Sequence, residues 1–142
     1  MLSKKSKYAI KALLALAEDT SEEPVRIGDL AEQEHIPAKF LEAILLSLRN
    51  AGMLQSRKGK GGGYRLSRDP KQITVGQVVR LFDGPLAPVP CASQTAYVAC
   101  EDCEDEATCG VRLAMKDVRD ATARILDHTS IASLARRRHR VG

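Results

Sequence analysis

The hydrophobic period of the chain changes within residues 27–66, and that change limits the fold more than any other feature of the sequence. Ile27, Leu30 and Ala31 open a short helical segment that ends near Glu34, with Asp29 and Glu32 in its early turns. His35-Ile36-Pro37 then starts a new helix, along which Phe40, Leu41, Ile44, Leu45 and Leu48 recur at helical period until Asn50-Ala51-Gly52 stops it. Two helices with so short a connection outline a helix-turn-helix unit, although such a pair also forms for packing alone. The next segment, Met53 to Leu66, has two short β-capable ends around a tip rich in cations and glycine: Ser56-Arg57-Lys58-Gly59-Lys60-Gly61-Gly62-Gly63-Tyr64. This pattern predicts a winged hairpin. Its glycines permit close backbone approach, and Arg57, Lys58 and Lys60 carry charge suited to phosphates or a narrow minor groove. An ordinary flexible hairpin fits the same residues. A nucleotide-cradling loop does not, because the Gly-Lys-Ser/Thr ending and a following helix start are both missing.

Around this unit the chain reads as helix. Tyr8, Ala9, Ala12, Leu13, Leu16 and Ala17 make one apolar stripe over about residues 3–18, with Lys4, Lys5, Lys7 and Lys11 around its start. Ile73, Val75, Val78, Val79 and Leu81-Phe82 predict another helix over 75–83, opened by Thr74 and closed by Asp83-Gly84-Pro85. Val111, Ala114, Met115, Val118, Ala121, Thr122, Ile125, Leu126 and Thr129 then alternate steps of three and four, which predicts a helix over 110–128, roughly 27 Å long at about 1.5 Å per residue. That is longer than a small winged domain needs for itself. A second copy of the chain is its natural partner, with packing against its own domain as the other option. The final Arg136, Arg137, Arg138 and Arg140 read as a solvated tail or a phosphate-grazing arm. Trp is absent and aromatics are only 4% of 142 residues, so an all-β core is excluded. The expected architecture is mainly α with a small β-wing. A winged helix-turn-helix domain spans 1–84, a cysteine-rich sensor loop 85–109, a dimerisation helix 110–128 and a tail 129–142.

Charge divides the chain. Residues 1–80 hold 14 basic and 9 acidic side chains, a net of +5, within a chain of +4 overall and pI near 9.0, so a polyanion is a plausible partner. Residues 91–109 hold five acids and no base, and also all four cysteines: Cys91, Cys100, Cys103 and Cys109, spaced Cys-x8-Cys-x2-Cys-x5-Cys. No apolar run approaches the roughly 20 residues of a membrane span, and the first residues lack an apolar signal core, so the expected compartment is the reducing cytoplasm. There, structural disulfides are disfavoured, and four thiolates suit tetrahedral zinc or an iron-sulfur cluster equally in number. Metal-free thiols remain the third option. The neighbouring acids Glu101, Asp102, Glu104, Asp105 and Glu106 are expected to raise the thiol pKa values. His35, His128 and His139 are scattered and form no acid-base constellation, so no enzyme is expected.

The residues then resemble a known family, the Rrf-two (Rrf2) winged helix-turn-helix regulators, which include the IscR, NsrR and CymR branches. The likeness is carried by Ser6-Lys7-Tyr8-Ala9, Phe40-Leu41-Glu42, Leu48-Arg49-Asn50-Ala51-Gly52, Gly59-Lys60-Gly61-Gly62-Gly63-Tyr64 and Ile73-Thr74-Val75-Gly76. It implies a homodimer that binds double-stranded operator DNA through its third helix and wing. The expected regulator is a repressor that would respond to redox state, iron-sulfur status or nitric oxide through a 2Fe-2S or 4Fe-4S cluster in the cysteine loop. On this resemblance Pro37, Ala38, Lys39 and Glu42 fall where members touch base edges, and Lys58 falls where cluster-bearing members often place a minor-groove arginine. Cys103 and Cys109 match the last two cysteine ligands, and Cys91 or Cys100 the first. Two departures stand out. Arg112 and Lys7 occupy positions where some members place a ligating histidine or acid, leaving all four cysteines as the expected ligand set. The stretch Asp83-Gly84-Pro85-Leu86-Ala87-Pro88-Val89 also resembles the metal-free CymR branch, which would answer to a metabolite or partner protein. A zinc-stapled adaptor for nucleic acid or protein is the remaining alternative.

Overall fold

The structure, a computed structural model, describes residues 2–141. Met1 and Gly142, the outer ends of the expected first and last segments, lie outside the described residues. Helix α1 (Lys4–Glu18) is the axle of the molecule. It starts at Ser3, whose hydroxyl accepts from the Ser6 N–H at 3.1 Å, a normal N-cap. Ser6, Ala9, Ala12, Leu13, Leu14, Ala15 and Leu16 are buried along it, so its apolar surface is wider than a single stripe and meets several partners at once.

Helix α2 (Ile27–Glu34) and helix α3 (Ala38–Asn50) lie where the periodicity places them. The turn between them is closed by His35 in the left-handed region at φ 57°, while the Ile36 N–H reaches back to the Ala31 carbonyl at 3.0 Å. Leu30, Ala31, Ile36, Leu41, Ile44, Leu45 and Leu48 join the α1 residues in one core. The wing is an antiparallel pair, β1 (Leu54–Arg57) and β2 (Gly63–Leu66), in register Leu54↔Leu66, Gln55↔Arg65, Ser56↔Tyr64 and Arg57↔Gly63. The segment after α1 also contributes. Val25 bridges to Tyr64 through two bonds, Val25 N–H to the Tyr64 carbonyl at 2.9 Å and Tyr64 N–H to the Val25 carbonyl at 2.8 Å. Gly63 makes this possible, because a Cβ there would overlap the Val25 carbonyl.

Helix α4 (Val75–Asp83) opens on a capping box in which Thr74 and Gln77 exchange side-chain and backbone bonds, both 3.2 Å. Its end returns to the start of α1, where Asp83 accepts from the Ser3 N–H at 3.1 Å. Residues 84–109 run without a regular helix or strand longer than the single turns Pro90–Ala92 and Glu106–Thr108. Helix α5 (Gly110–Asp127) follows, joined to α4 by the paired bonds Arg80 Nη1 to Asp127 Oδ1 at 2.5 Å and Nη2 to Oδ2 at 2.9 Å. Gly76 lies under this pair, where a side chain would collide with the Asp127 carboxylate. Only Ala123 of α5 is buried, and Val111, Leu113, Val118 and Ile125 stand 47–66% exposed.

The expected tail requires correction. Residues Ile131–Val141 form helix α6, docked on α1. Ser130 caps its start by accepting from the Ser133 N–H at 3.0 Å, and Ile131 is fully buried with Leu134 and Ala135 packed on the core. The four arginines drew the sequence reading toward a solvated arm, while the short Ile131-Leu134-Ala135 stripe is what anchors the segment. Arg138 also reaches Glu18 at 3.4 Å.

Ile131→Ala is therefore expected to cost about 2–4 kcal/mol in urea unfolding, the range for deleting a fully buried aliphatic side chain. A loose tail would show no effect. The Arg80 hydrogen bonds and charge hold the Asp127 carboxyl below the ordinary carboxylate range. The pair consequently stabilises the fold above the usual carboxylate pKa, and this contribution fades as pH falls through the lower folded value. Asp127→Asn should flatten that acid limb in pH-dependent unfolding.

Candidate functional site

Two chemically distinct regions carry the candidate residues. On the first, Pro37 caps α3, and Ala38, Lys39 and Glu42 are exposed on its first turns. Lys39, Glu42, Leu46 and Arg49, spaced three or four residues apart, share one exposed face of the helix. Arg49 was read from sequence only as part of a family motif and given no DNA contact, although its position seven residues after Glu42 places it on that face. Its Nη1 donates to the Ser56 hydroxyl at 3.3 Å, which ties the far end of α3 to the wing. Ser56, Arg57, Lys58, Gly59 and Lys60 are exposed on the wing, while Gly61, Gly62 and Gly63 are half-buried. Tyr64 sits differently from its neighbours: it is buried in the core, so its ring supports the wing from beneath. Lys4, Lys5 and Lys7 are exposed at the start of α1.

The second region is a cavity of about 710 Å3 in the 84–109 segment, lined by all four cysteines together with Val89, Val98, Val111 and Arg112. Cys91 is buried in the Pro90–Ala92 turn, and its carbonyl accepts from Arg112 Nε at 3.1 Å, fastening that turn to α5. Cys109 caps the start of α5. Its thiol is held below the ordinary range chiefly by the Arg112 N–H, with further help from Cys103, the Val111 N–H and the Arg112 charge. Burial and the hydrogen bond to Cys109 push the Cys103 thiol up. The expectation that neighbouring acids raise these thiols thus fails at Cys109, where the amide donors of a helix start lower it instead. Tyr97 bonds Glu106 through its hydroxyl, and that bond pushes its pKa up.

Among the described residues, no three His, Cys, Asp or Glu side chains are gathered closely enough to hold a single ion. Four soft sulfur donors nevertheless face one cavity, and an iron-sulfur cluster is a larger body whose ligating sulfurs stand well apart. The donor chemistry and the room fit such a group. Arg112 and Lys7 add nothing to this set: the first is engaged with the Cys91 carbonyl and the second is exposed on α1. No helix among the described residues is long and apolar enough to cross a membrane.

Comparison with known proteins converges on one family. Residues 2–137 match the Rrf2 family model, described as an iron-dependent transcriptional regulator. The chain is 44% identical over 121 residues to an rrf2-like HTH-type transcriptional regulator of Rhodobacter capsulatus, covering 83% of this chain and 81% of that one. It is 32% identical over 133 residues to the HTH-type transcriptional regulator IscR of Aliivibrio salmonicida, covering 94% and 76%. The structure of CymR, the global cysteine regulator of Bacillus subtilis, superposes with a TM-score of 0.78 at 32% identity, covering 95% of both chains.

In the metal-free chain, alkylation of Cys109 by iodoacetamide is expected to reach half its maximal rate at a lower pH than that of Cys103, because only the deprotonated thiol reacts. Site-resolved mass spectrometry across a pH series measures this, and the reverse order would contradict the N-cap account.

Proposed function

Since the chain belongs to the Rrf2 family of transcriptional regulators, we propose that it is a homodimeric cytoplasmic repressor that reads operator DNA with α3 and the wing and senses through its cysteine cavity. The observation that carries this reading is the pairing of the two regions: an exposed cationic reading surface at one end and a four-thiol cavity at the start of an unpartnered long helix at the other. Lys39 suits guanine or phosphate, and Glu42 suits a cytosine amino group. Arg57, Lys58 and Lys60 supply the wing's contacts to phosphate or minor groove, and Lys4, Lys5 and Lys7 extend the positive surface. The exposed Val111, Val118 and Ile125 face calls for a twofold copy, which would present two reading surfaces to two half-sites.

Cys91, Cys100, Cys103 and Cys109 would hold an iron-sulfur cluster, 2Fe-2S or 4Fe-4S. When bound, such a cluster supplies a centre that reacts with oxidants or nitric oxide. The chain's own residues give the state of the loop a path outward. Cys109 sits on the first turn of α5, Arg112 ties α5 to the Cys91 turn, and Asp127 at the other end of the same helix holds Arg80 of the DNA-binding domain. A change in the loop therefore acts on the helix that sets half-site spacing. The close superposition on CymR favours a second reading, a metal-free regulator answering a metabolite or partner protein.

Anaerobic purification with metal analysis separates these readings. The first expects a coloured protein carrying iron and sulfide that loses its colour on Cys109→Ser. A colourless metal-free protein that still binds its operator supports the second, and a colourless protein with stoichiometric zinc supports a zinc-stapled loop. For DNA binding, Lys58→Ala and Lys60→Ala should each lower affinity and reduce the slope of log affinity against log salt by about 1. A monomer with no preference for operator over random duplex would sink the proposal.

A further inference from the structure

A second hollow, not assembled by the sequence reading, lies between the wing and the start of α2. It encloses about 340 Å3, and its lining includes Arg26, Arg49, Ser56, Arg57, Lys58 and Tyr64. Three separate stretches of chain deliver four cations to it. Arg26 precedes α2 and makes no capping bond to that helix. Arg49 comes from the last turn of α3, and Arg57 and Lys58 come from the end of β1 and the turn after it. No carboxylate lines the hollow, and none of the four cations is in an ion pair among the described residues. Like charges brought together without a counter-charge repel, so the arrangement is electrostatically incomplete and an entering anion relieves it.

The hollow is also built rather than incidental. Arg26 follows Val25, which the two bonds to Tyr64 fix against β2, and Gly63 allows that close approach. Arg49 is held toward the hollow by its bond to Ser56. Planar guanidinium groups match the oxygens of a phosphate better than an ammonium does, and three of the four cations here, Arg26, Arg49 and Arg57, carry one. The hollow ends the same exposed face of α3 that begins with Lys39 and Glu42, so a duplex lying along that face passes over it.

We propose that this hollow is the seat of one backbone phosphate of the operator duplex, gripped by Arg26 and Arg49 and flanked by Arg57 and Lys58. This rests on the DNA-binding reading above and adds two residues and a place to it. One phosphate held jointly by the start of α2, the end of α3 and the wing sets the register of the recognition helix along the duplex without itself reading a base.

The test begins with an operator selected by the wild-type dimer from a random duplex pool. Arg26→Gln and Arg49→Gln should each lower affinity about tenfold and reduce the salt slope by about 1, leaving the ranking of base preferences unchanged. Lys71→Gln, in the turn before α4 and outside the hollow, serves as the control and should change neither. A neutral methylphosphonate scan of the operator backbone should find one position at which wild-type binding weakens and at which both variants have become insensitive. Arg26 makes no side-chain hydrogen bond in the structure, so its variant should unfold at the wild-type temperature, which guards against a folding artefact. Unchanged salt slopes in both variants, with wild-type DNA binding intact, overturn the seat and leave the DNA-binding reading standing. Failure of the wild type to prefer duplex overturns both. Calorimetry with inorganic phosphate alone is the last arm: tight binding abolished by Arg26→Gln would assign the hollow to a free anion and overturn its assignment to DNA.

Discussion

Burial of α1 is the constraint on which the rest of the structure depends. Its buried residues occupy nearly the whole circumference of the helix, and α2, α3, α4, α6 and β2 each pack on part of it. Helix α3 therefore points where it does because Leu41, Ile44, Leu45 and Leu48 are committed to this shared core, which leaves Lys39, Glu42, Leu46 and Arg49 facing out. With an aromatic content of 4%, the core relies on many small and aliphatic side chains in close contact, and the edge-on contact of Tyr8 with Phe40 at 5.6 Å is an aromatic pair linking α1 to α3. Removing one large aliphatic group from such a core leaves a void that few neighbours can fill.

Electrostatics divides the molecule along different lines from packing. The surface around α3 and the wing carries cations without carboxylate partners, whereas the acids gathered beside the cysteines leave that loop anionic. The two do not neutralise one another in the single chain. Inside the acidic loop, local amide donors govern the thiol at Cys109 more strongly than the surrounding formal charges do. Formal charge counted along a sequence describes a partner at long range, and hydrogen-bond donors within a few ångströms decide a pKa.

The connection between these regions is short. Residues 73–75 and 129–131 form an isolated bridge, with the Val75 N–H bonding the Thr129 carbonyl and the Ile131 N–H bonding the Ile73 carbonyl, both at 2.8 Å. Beside it, Arg80 and Asp127 clasp over Gly76. The end of α5 is thus anchored to α4 and the residues just before it by backbone and side chain together, while its start is fastened through Cys109, Arg112 and the loop. A helix held firmly at one end and by a chemically sensitive segment at the other is suited to carry a change between them.

The order of helices, the short turn before α3, the glycine-tipped wing and the grouping of four thiols were legible in the residues, because period, turn chemistry and cysteine spacing are local properties. The identity of the face shown by α3 was legible as well, up to Glu42. Arg26 escaped notice and Arg49 was given no contact, because each is an ordinary surface arginine until β2 folds back onto Val25. Tyr64 was grouped with the DNA-contacting wing because its neighbours are wing residues, and α6 was taken for a tail because three apolar residues weigh little beside four arginines. Sequence settled most of the elements, α6 excepted. Which residues stand next to one another was decided only by tertiary structure, since contacts such as Val25 with Tyr64 or Arg80 with Asp127 join positions far apart in the chain, and no local pattern encodes their meeting.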